Sequence, residues 1–65
     1  MEEKNLNICT ITNIAGDIFV FRKDDVTGVC QKKNRHTVIF TIGGPISLGT
    51  VNEDVEVLTT MLMDD

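Results

Sequence analysis

The tightest constraint on the fold lies at residues 36–45, which read His-Thr-Val-Ile-Phe-Thr-Ile-Gly-Gly-Pro. β-Branched and aromatic residues dominate this run, and two glycines followed by the only proline end it. A strand with one wet face alternates apolar and polar residues, whereas a strand covered on both faces does not. The run therefore predicts a strand that is buried on both faces.

Shorter runs of the same character predict four more strands, at residues 6–14, 17–22, 26–31 and 46–50. The first alternates with the period of two typical of a half-buried strand, and Ala15-Gly16 then gives a hairpin signal. Gly28 is expected to weaken or bulge the third strand. Polar breaks at residues 23–25 and 32–35 predict turns, with Asn34 as the candidate for a left-handed backbone. Pro45 is expected at the first position of the fifth strand, where a missing N–H costs least.

The segment from residue 53 to residue 62 fits two structures. Thr50 or Asn52 can cap a helix, and Leu58 and Leu62 recur at helical spacing. Acidic residues at 53, 54 and 56 suit the positive N-terminal end of such a helix. Against this, the β-branched residues at 55, 57 and 59 alternate as in a strand. The capping signals favour a short helix, and a sixth strand remains the alternative.

Together these elements predict a mainly β (β-rich α+β) fold, a five-stranded antiparallel meander with a short C-terminal helix, in a single domain over residues 1–65. One short helix covers only one face of such a sheet, so the other face is expected to meet another copy. A chain of 65 residues also needs added support from a disulfide framework, a metal or a partner subunit. Cys9 and Cys30 could form one bridge, but free cysteines that pack as small apolar groups are the favoured alternative. The expected homo-oligomer interface consists of Phe19, Phe21, Val38, Phe40, Leu58 and Leu62.

Charge is unevenly distributed along the chain, although its net value is −4. Five of the six lysines and arginines lie within residues 22–36, and residues 37–65 contain none. The plain interpretation is a solvated hairpin tip. The alternatives are a pocket for an anion and a basic patch that docks the acidic tail of a neighbouring subunit. The candidate ligand-binding residues are Arg22, Lys32, Arg35 and His36, together with the backbone N–H groups of Gly43 and Gly44.

Catalysis and metal binding find little support in the sequence. Cys9, Cys30 or Ser47 could meet the single histidine, His36, but no nucleophile motif surrounds them. The cysteine and histidine spacings do not match a zinc site, and no cofactor is expected. Nucleic acid is a poor partner, because the chain is acidic and has no tyrosine or tryptophan to stack on bases.

The order of these features resembles the small FlbD/SwrD-type proteins of flagellar operons. The shared features, over roughly residues 11–58, are an x-x-Gly turn, Ile-Phe-Val-Phe at 18–21, Val26-x-x-Val29, Thr37-Val38-Ile39, Gly44 and a Glu53-led helix with Val57. The resemblance implies a short β-meander closed by a helix, without catalytic residues and with a role in motility. The rigid Gly43-Gly44-Pro45 turn and a fifth strand about two residues longer depart from that pattern.

The sequence thus predicts a non-enzymatic, cytoplasmic, homo-oligomeric protein that captures a small anionic ligand, such as a nucleotide or nucleotide-derived signal. Its size and acidity would also suit a phage or prophage protein that sequesters a host signal. The alternative is a protein–protein adaptor of the FlbD/SwrD type, which would use the Val55/Leu58/Leu62 face of the helix or an open sheet edge. The acidic start of the chain does not resemble a signal peptide, and no apolar run approaches the roughly 18 residues of a membrane span.

Overall fold

The computed structural model describes residues 7–63, which contain five strands and one α-helix. These are β1 (Ile8–Thr12), β2 (Ile18–Arg22), β3 (Val26–Gln31), β4 (His36–Thr41), β5 (Gly44–Thr50) and α1 (Val55–Met63). The prediction of a mainly β fold with a C-terminal helix is confirmed. Leu6, the predicted start of the first strand, lies outside the described residues.

The strands form two antiparallel sheets, so the predicted single meander is wrong. β1 pairs with β2, and β3, β4 and β5 pair in that order, but β2 and β3 do not pair with each other. The predicted turn between them exists as a 3-10 helix at Lys23–Asp25. This turn redirects the chain away from β2, and β3 finds its only strand partner in β4 among residues 7–63.

Contacts at the end of β1 connect the two sheets. Asn13 and Val51 form an isolated antiparallel bridge, and the Ile14 N–H donates to the carbonyl oxygen of Thr50 at 2.9 Å. The first hairpin loop is accordingly longer than the predicted Ala15-Gly16 turn. It comprises residues 13–17, because β1 ends at Thr12 and β2 begins at Ile18.

The core lies between the two sheets and α1. Its fully buried side chains belong to both sheets, the β5–α1 connection and the helix: Ile11, Ile39, Leu48, Val51 and Leu58. Within one chain β4 is covered on one face only, since Ile39 is 0% exposed and the neighbouring Phe40 is 41% exposed. The expected burial of this strand on both faces is therefore not met in this chain.

The segment after β5 is a helix, which decides between the two alternatives left by the sequence. Its N-terminal cap is Asp54, because Asp54 Oδ1 accepts the Val57 N–H at 3.2 Å and its carbonyl oxygen accepts the Leu58 N–H. The predicted caps Thr50 and Asn52 are too early by two residues or more. The Thr59 hydroxyl donates to the Val55 carbonyl oxygen at 2.7 Å, so this β-branched residue bonds within the helix.

β-Bulges interrupt the regular pairing in both outer strands of the three-stranded sheet. Pairing slips between Val26 and Gly28, which confirms the predicted irregularity at Gly28. It also slips in β5, where Gly49 has a φ of +81° and pairs with Thr37, while Ser47 pairs with Val38. The extra residue, Leu48, is 1% exposed and contributes to the core. β5 begins at Gly44, two residues before the predicted run at residues 46–50. Pro45 was expected at the first position of the strand and takes the second.

Candidate functional site

The basic tip, defined as Lys32, Lys33, Arg35 and His36, is the hairpin end that joins β3 to β4. Asn34 and Arg35 have φ values of +61° and +57°, and the His36 N–H donates to the Lys33 carbonyl oxygen. Two central residues with positive φ define a type I′ turn, whose twist matches that of the flanking strands. The predicted left-handed backbone at Asn34 is therefore confirmed, but Arg35 shares that conformation.

Arg35 occupies a position for which glycine is the usual residue in a type I′ turn. Left-handed backbone costs an L side chain about 1 kcal/mol. We expect Arg35→Gly to raise the free energy of unfolding by about 0.5–1 kcal/mol, because glycine adopts this φ without a Cβ clash. Urea denaturation of the variant and the parent measures the difference. Lys33→Gly is the control, since Lys33 has no positive φ, and the same glycine is expected to destabilise there.

A small polar network lies at the base of the basic tip. The buried Thr37 hydroxyl donates to the Arg35 carbonyl oxygen at 3.0 Å and accepts from Gln31 Nε2 at 3.2 Å. Gln31 Nε2 also donates to the Glu53 carbonyl oxygen at 2.9 Å. These bonds fix the strained turn on its strands and tie it to the start of α1.

His36 and Ser47 meet on the outer face of the three-stranded sheet. His36 Nε2 and Ser47 Oγ lie 3.2 Å apart, at hydrogen-bonding distance. Nucleophilic catalysis also needs a group that orients the base, and no described side chain hydrogen-bonds the other ring nitrogen of His36. This pair therefore offers polar groups to a ligand rather than an assembled nucleophile.

A cleft of about 340 Å³ lies at the opposite end of the molecule. One wall is formed by residues 20–22 at the end of β2, and the other by residues 41–43 and Ile46. Asp25 also lines it. Arg22 and Asp25 therefore both line the cleft, and their formal charges cancel. Within this chain the cleft therefore has no net positive charge to attract an anion.

The glycine pair is used mainly to turn the chain. The Gly43 N–H donates to Thr41 Oγ1 at 3.2 Å, and the Thr41 hydroxyl donates to the Gly44 carbonyl oxygen at 2.8 Å. These side-chain bonds end β4 at Thr41, one residue before the predicted end of the strand. With its N–H engaged, Gly43 lines the cleft chiefly as a small residue that leaves room beside Arg22.

The candidate ligand-binding residues thus divide into two groups. Arg22, Gly43 and Gly44 lie at the cleft end, whereas Lys32, Arg35 and His36 lie at the basic tip. β4 runs between the two ends over six residues, a span of about 17 Å at the usual strand rise. The structure therefore does not bring these groups together within this chain.

The candidate interface residues also divide. Phe21, Leu58 and Leu62 are at most 6% exposed and fill the core of this chain. Phe19 and Val38 are half-buried, and Phe40 is exposed. Among the six, only Phe19, Val38 and Phe40 offer surface to another molecule.

Residues that the sequence reasoning did not single out are also exposed. Ile18 is 67% exposed, Val20 63% and Ile42 77%, and the last two line the cleft. The signal for Ile42 was its place directly before Gly43, at the end of an apolar run and inside a turn. The signal for Ile18 and Val20 was the period of two, which puts alternate residues of an apolar strand on its outer face.

Both cysteines are free thiols in the structure. Cys9 is buried in the core, and this burial raises the pKa of its thiol, while the positive charge of Lys23 partly opposes the rise. Its thiol is therefore kept neutral and packs as a small apolar group. Cys30 is half-buried on β3, on the outer face beside Val38.

Within residues 7–63 no three histidine, cysteine or acidic side chains are grouped so as to hold a metal ion. None of the helices in that range has the length and apolar character needed to cross a bilayer. Comparison with known proteins finds no matching family, no similar curated protein and no similar solved structure. The FlbD/SwrD resemblance accordingly stays a prediction.

Proposed function

We propose that this chain forms a homo-oligomer that binds a small anionic ligand at its subunit junctions and does not catalyse a reaction. The ligand class is a nucleotide or a nucleotide-derived signal, held by the basic tip of one subunit and the cleft end of another. Capture without turnover would suit a protein that sequesters a signal, such as a phage or prophage accessory protein in the cytoplasm.

The strained arginine at the basic tip carries this proposal. A glycine at position 35 would fit the type I′ turn at lower conformational cost, yet the chain has arginine there. Backbone strain that the surrounding structure maintains is a recognised mark of functional positions. The guanidinium is a planar fork of donors that matches phosphate oxygens better than a lysine ammonium does.

The need for two subunits follows from the distribution of charge and shape. The basic tip has cations but lies on a protruding, exposed hairpin, whereas the cleft has a concave wall but no excess positive charge. Small-molecule sites are concave and have a few convergent polar groups. A junction between the two ends would combine both properties.

Exposed apolar side chains support association. Ile18, Val20 and Ile42 are each at least 63% exposed, and Val20 and Ile42 border the same cleft. Contiguous exposed apolar surface on a small domain marks an interaction site. A second copy is the simplest partner that such a surface can meet.

A small anion suits the charge better than a nucleic acid does. The chain has a net charge of −4 and only three aromatic residues, all phenylalanine. A nucleic-acid surface gains most of its affinity from many phosphate contacts, while a nucleotide needs only a few well-placed donors.

The test is native mass spectrometry of the protein purified from its own cells, followed by titration of nucleoside phosphates into the parent and two charge-reversal variants. We expect Arg35→Glu to weaken binding about tenfold or more, because it removes charged hydrogen bonds. Lys33→Glu is the matched control on the same tip and is expected to weaken binding less. An Arg35→Glu protein that binds nucleotides as tightly as the parent would overturn the proposal.

The second candidate is a protein–protein adaptor of the FlbD/SwrD type. The outer side of α1 favours it, because Val57 and Met63 are 46% and 47% exposed. The expected adaptor face of Val55, Leu58 and Leu62 is mostly unavailable, since both leucines are buried. An adaptor that uses the helix would be indifferent to Arg35→Glu.

A further inference from the structure

The outer edge of β2 presents backbone groups without partners. The Asn13 N–H donates to the Asp17 carbonyl oxygen, so this pair is hydrogen-bonded, and antiparallel pairs alternate between bonded and non-bonded. Following the register of β1 and β2, Phe19 and Phe21 exchange bonds with β1. The N–H and C=O groups of Ile18, Val20 and Arg22 therefore point away from β1, and β2 has no other strand partner among residues 7–63.

This edge lacks the features that usually protect an open strand. Proteins blunt such edges with proline, bulges, inward-pointing charges or a covering element. β2 is regularly paired with no bulge, contains no proline and carries two exposed apolar side chains, Ile18 and Val20. The two edge strands of the other sheet have such features: β3 has a bulge near Gly28 and packs against α1, and β5 has a bulge at Leu48 and accepts the Ile14 N–H at Thr50.

We propose that β2 pairs antiparallel with β2 of a second copy, with Val20 opposite the partner's Val20. The two hairpins would then form a continuous four-stranded sheet across a two-fold axis, a self-complementary contact of the commonest oligomer type. This proposal rests on the oligomeric binding protein proposed above and specifies its contact.

The register follows from three requirements. Side chains that are opposite each other must point to the same face, so a shift by one residue is excluded. Centring on Val20 pairs all three outward-bonding residues, with Ile18 opposite the partner's Arg22. Four of the resulting backbone hydrogen bonds join free groups, and two more go to the Arg22 carbonyl oxygen, which also caps the 3-10 turn after β2. Shifts by two residues lose one of these pairs. The same register places Asp17, directly before β2, opposite the partner's Lys23, so opposite charges meet at both ends.

The pairing also explains how the basic tip of one subunit and the cleft end of another could form the proposed ligand site. β2 begins beside the Asn13 loop, whose Ile14 bonds to Thr50, and Thr50 pairs with His36 at the basic tip. β2 ends at Arg22 in the cleft. Antiparallel pairing therefore brings the cleft end of each subunit to the side on which the partner's basic tip lies.

Disulfide trapping tests the contact directly. Val20→Cys, made together with Cys30→Ser, is expected to form a covalent dimer under mild oxidation. Facing Cα atoms in a bonded antiparallel pair lie about 5.5 Å apart, within the range that a disulfide spans. Thr10→Cys in the same background is the control. Thr10 lies opposite Val20 on β1, and its partner copy would be three strand spacings away, about 14 Å.

The variants still contain the buried Cys9, so peptide mass mapping is needed to show which cysteines form the disulfide. Equal cross-linking of the Val20→Cys and Thr10→Cys proteins, or none of either, overturns β2 pairing. A Val20→Cys dimer, found together with a parent protein that binds no nucleoside phosphate, supports the pairing and removes the proposed function instead.

Charge exchange gives a second measurement that needs no new cysteine. Asp17→Lys alone is expected to weaken the dimer about tenfold in sedimentation, because two like-charged pairs then face each other. Asp17→Lys combined with Lys23→Asp restores opposite charges and is expected to restore dimerisation. A double variant that associates as weakly as the single one contradicts the register.

Discussion

Replacing Leu58 by Ala is expected to lower the free energy of unfolding by about 3 kcal/mol, the usual cost of emptying a fully buried leucine site. The Leu58 side chain is 0% exposed, and α1 packs on β3. A domain of this size has a total stability of roughly 3–10 kcal/mol. The substitution should therefore lower the melting temperature by about 15 °C or unfold the protein outright.

The adjacent Val57→Ala substitution is the matched control for this experiment. Val57 is 46% exposed, and alanine is the better helix former. We expect its effect to stay within about 0.5 kcal/mol, measured for both variants by thermal and urea denaturation. Similar losses from the two substitutions would contradict the packing of α1 on the sheet.

The individual elements could be predicted because their signals are local. β3 has the predicted bounds, Val26–Gln31, since charged and polar breaks flank a β-branched run on both sides. The left-handed Asn34 followed from the ability of its side chain to bond locally. Helix and strand signals conflicted after residue 52, and the decision in favour of a helix follows tertiary burial of Leu58 and Leu62 as well as the Asp54 cap.

The strand pairing could not be predicted because it is a non-local property. A polar break at residues 23–25 is compatible with a hairpin turn and with a change of sheet, and only the packing of the core decides between them. The same limit applies to burial. A run such as residues 38–40 shows that both faces are apolar, but not that the chain can cover both.

The candidate site was partly accessible from the sequence. The clustering of bases within residues 22–36 predicted the basic tip. The positive φ of Arg35 had no sequence signal, because nothing in an Asn-Arg pair distinguishes a type I′ turn from other turns. The cleft depends on the missing β2–β3 pairing, so a correct strand pairing is needed to find it.

The open edge of β2 and the separation of Arg22 from the basic tip are two consequences of one topological feature. Because β2 does not pair with β3, no strand among residues 7–63 covers its edge beside the cleft, and the cleft end stays apart from the basic tip. A two-fold contact along that edge would satisfy the free backbone groups and bring opposite ends of two subunits to the same side. Assembly and ligand binding are thus expected to depend on one contact.

Replacing Asn13 by Ala is the second substitution with a large expected effect. It is expected to lower the free energy of unfolding by about 2 kcal/mol. The Asn13 side-chain amide donates to the Leu48 carbonyl oxygen at 2.8 Å. Its Oδ1 accepts the N–H groups of Ala15 and Asp17 at 3.0 and 2.9 Å. Alanine leaves the part-buried Leu48 carbonyl without this donor and releases the loop that starts β2.

Asn52→Ala is the control, because Asn52 is exposed. This substitution is expected to lower the free energy of unfolding by less than about 0.5 kcal/mol. Asn13 links the β1–β2 hairpin to β5, so its loss is also expected to weaken dimerisation through a less ordered β2. Urea denaturation measures the first effect and sedimentation the second. An Asn13→Ala protein as stable as the Asn52→Ala protein would show that the two sheets hold together without this side chain, through the core and the backbone bridge to Val51 alone.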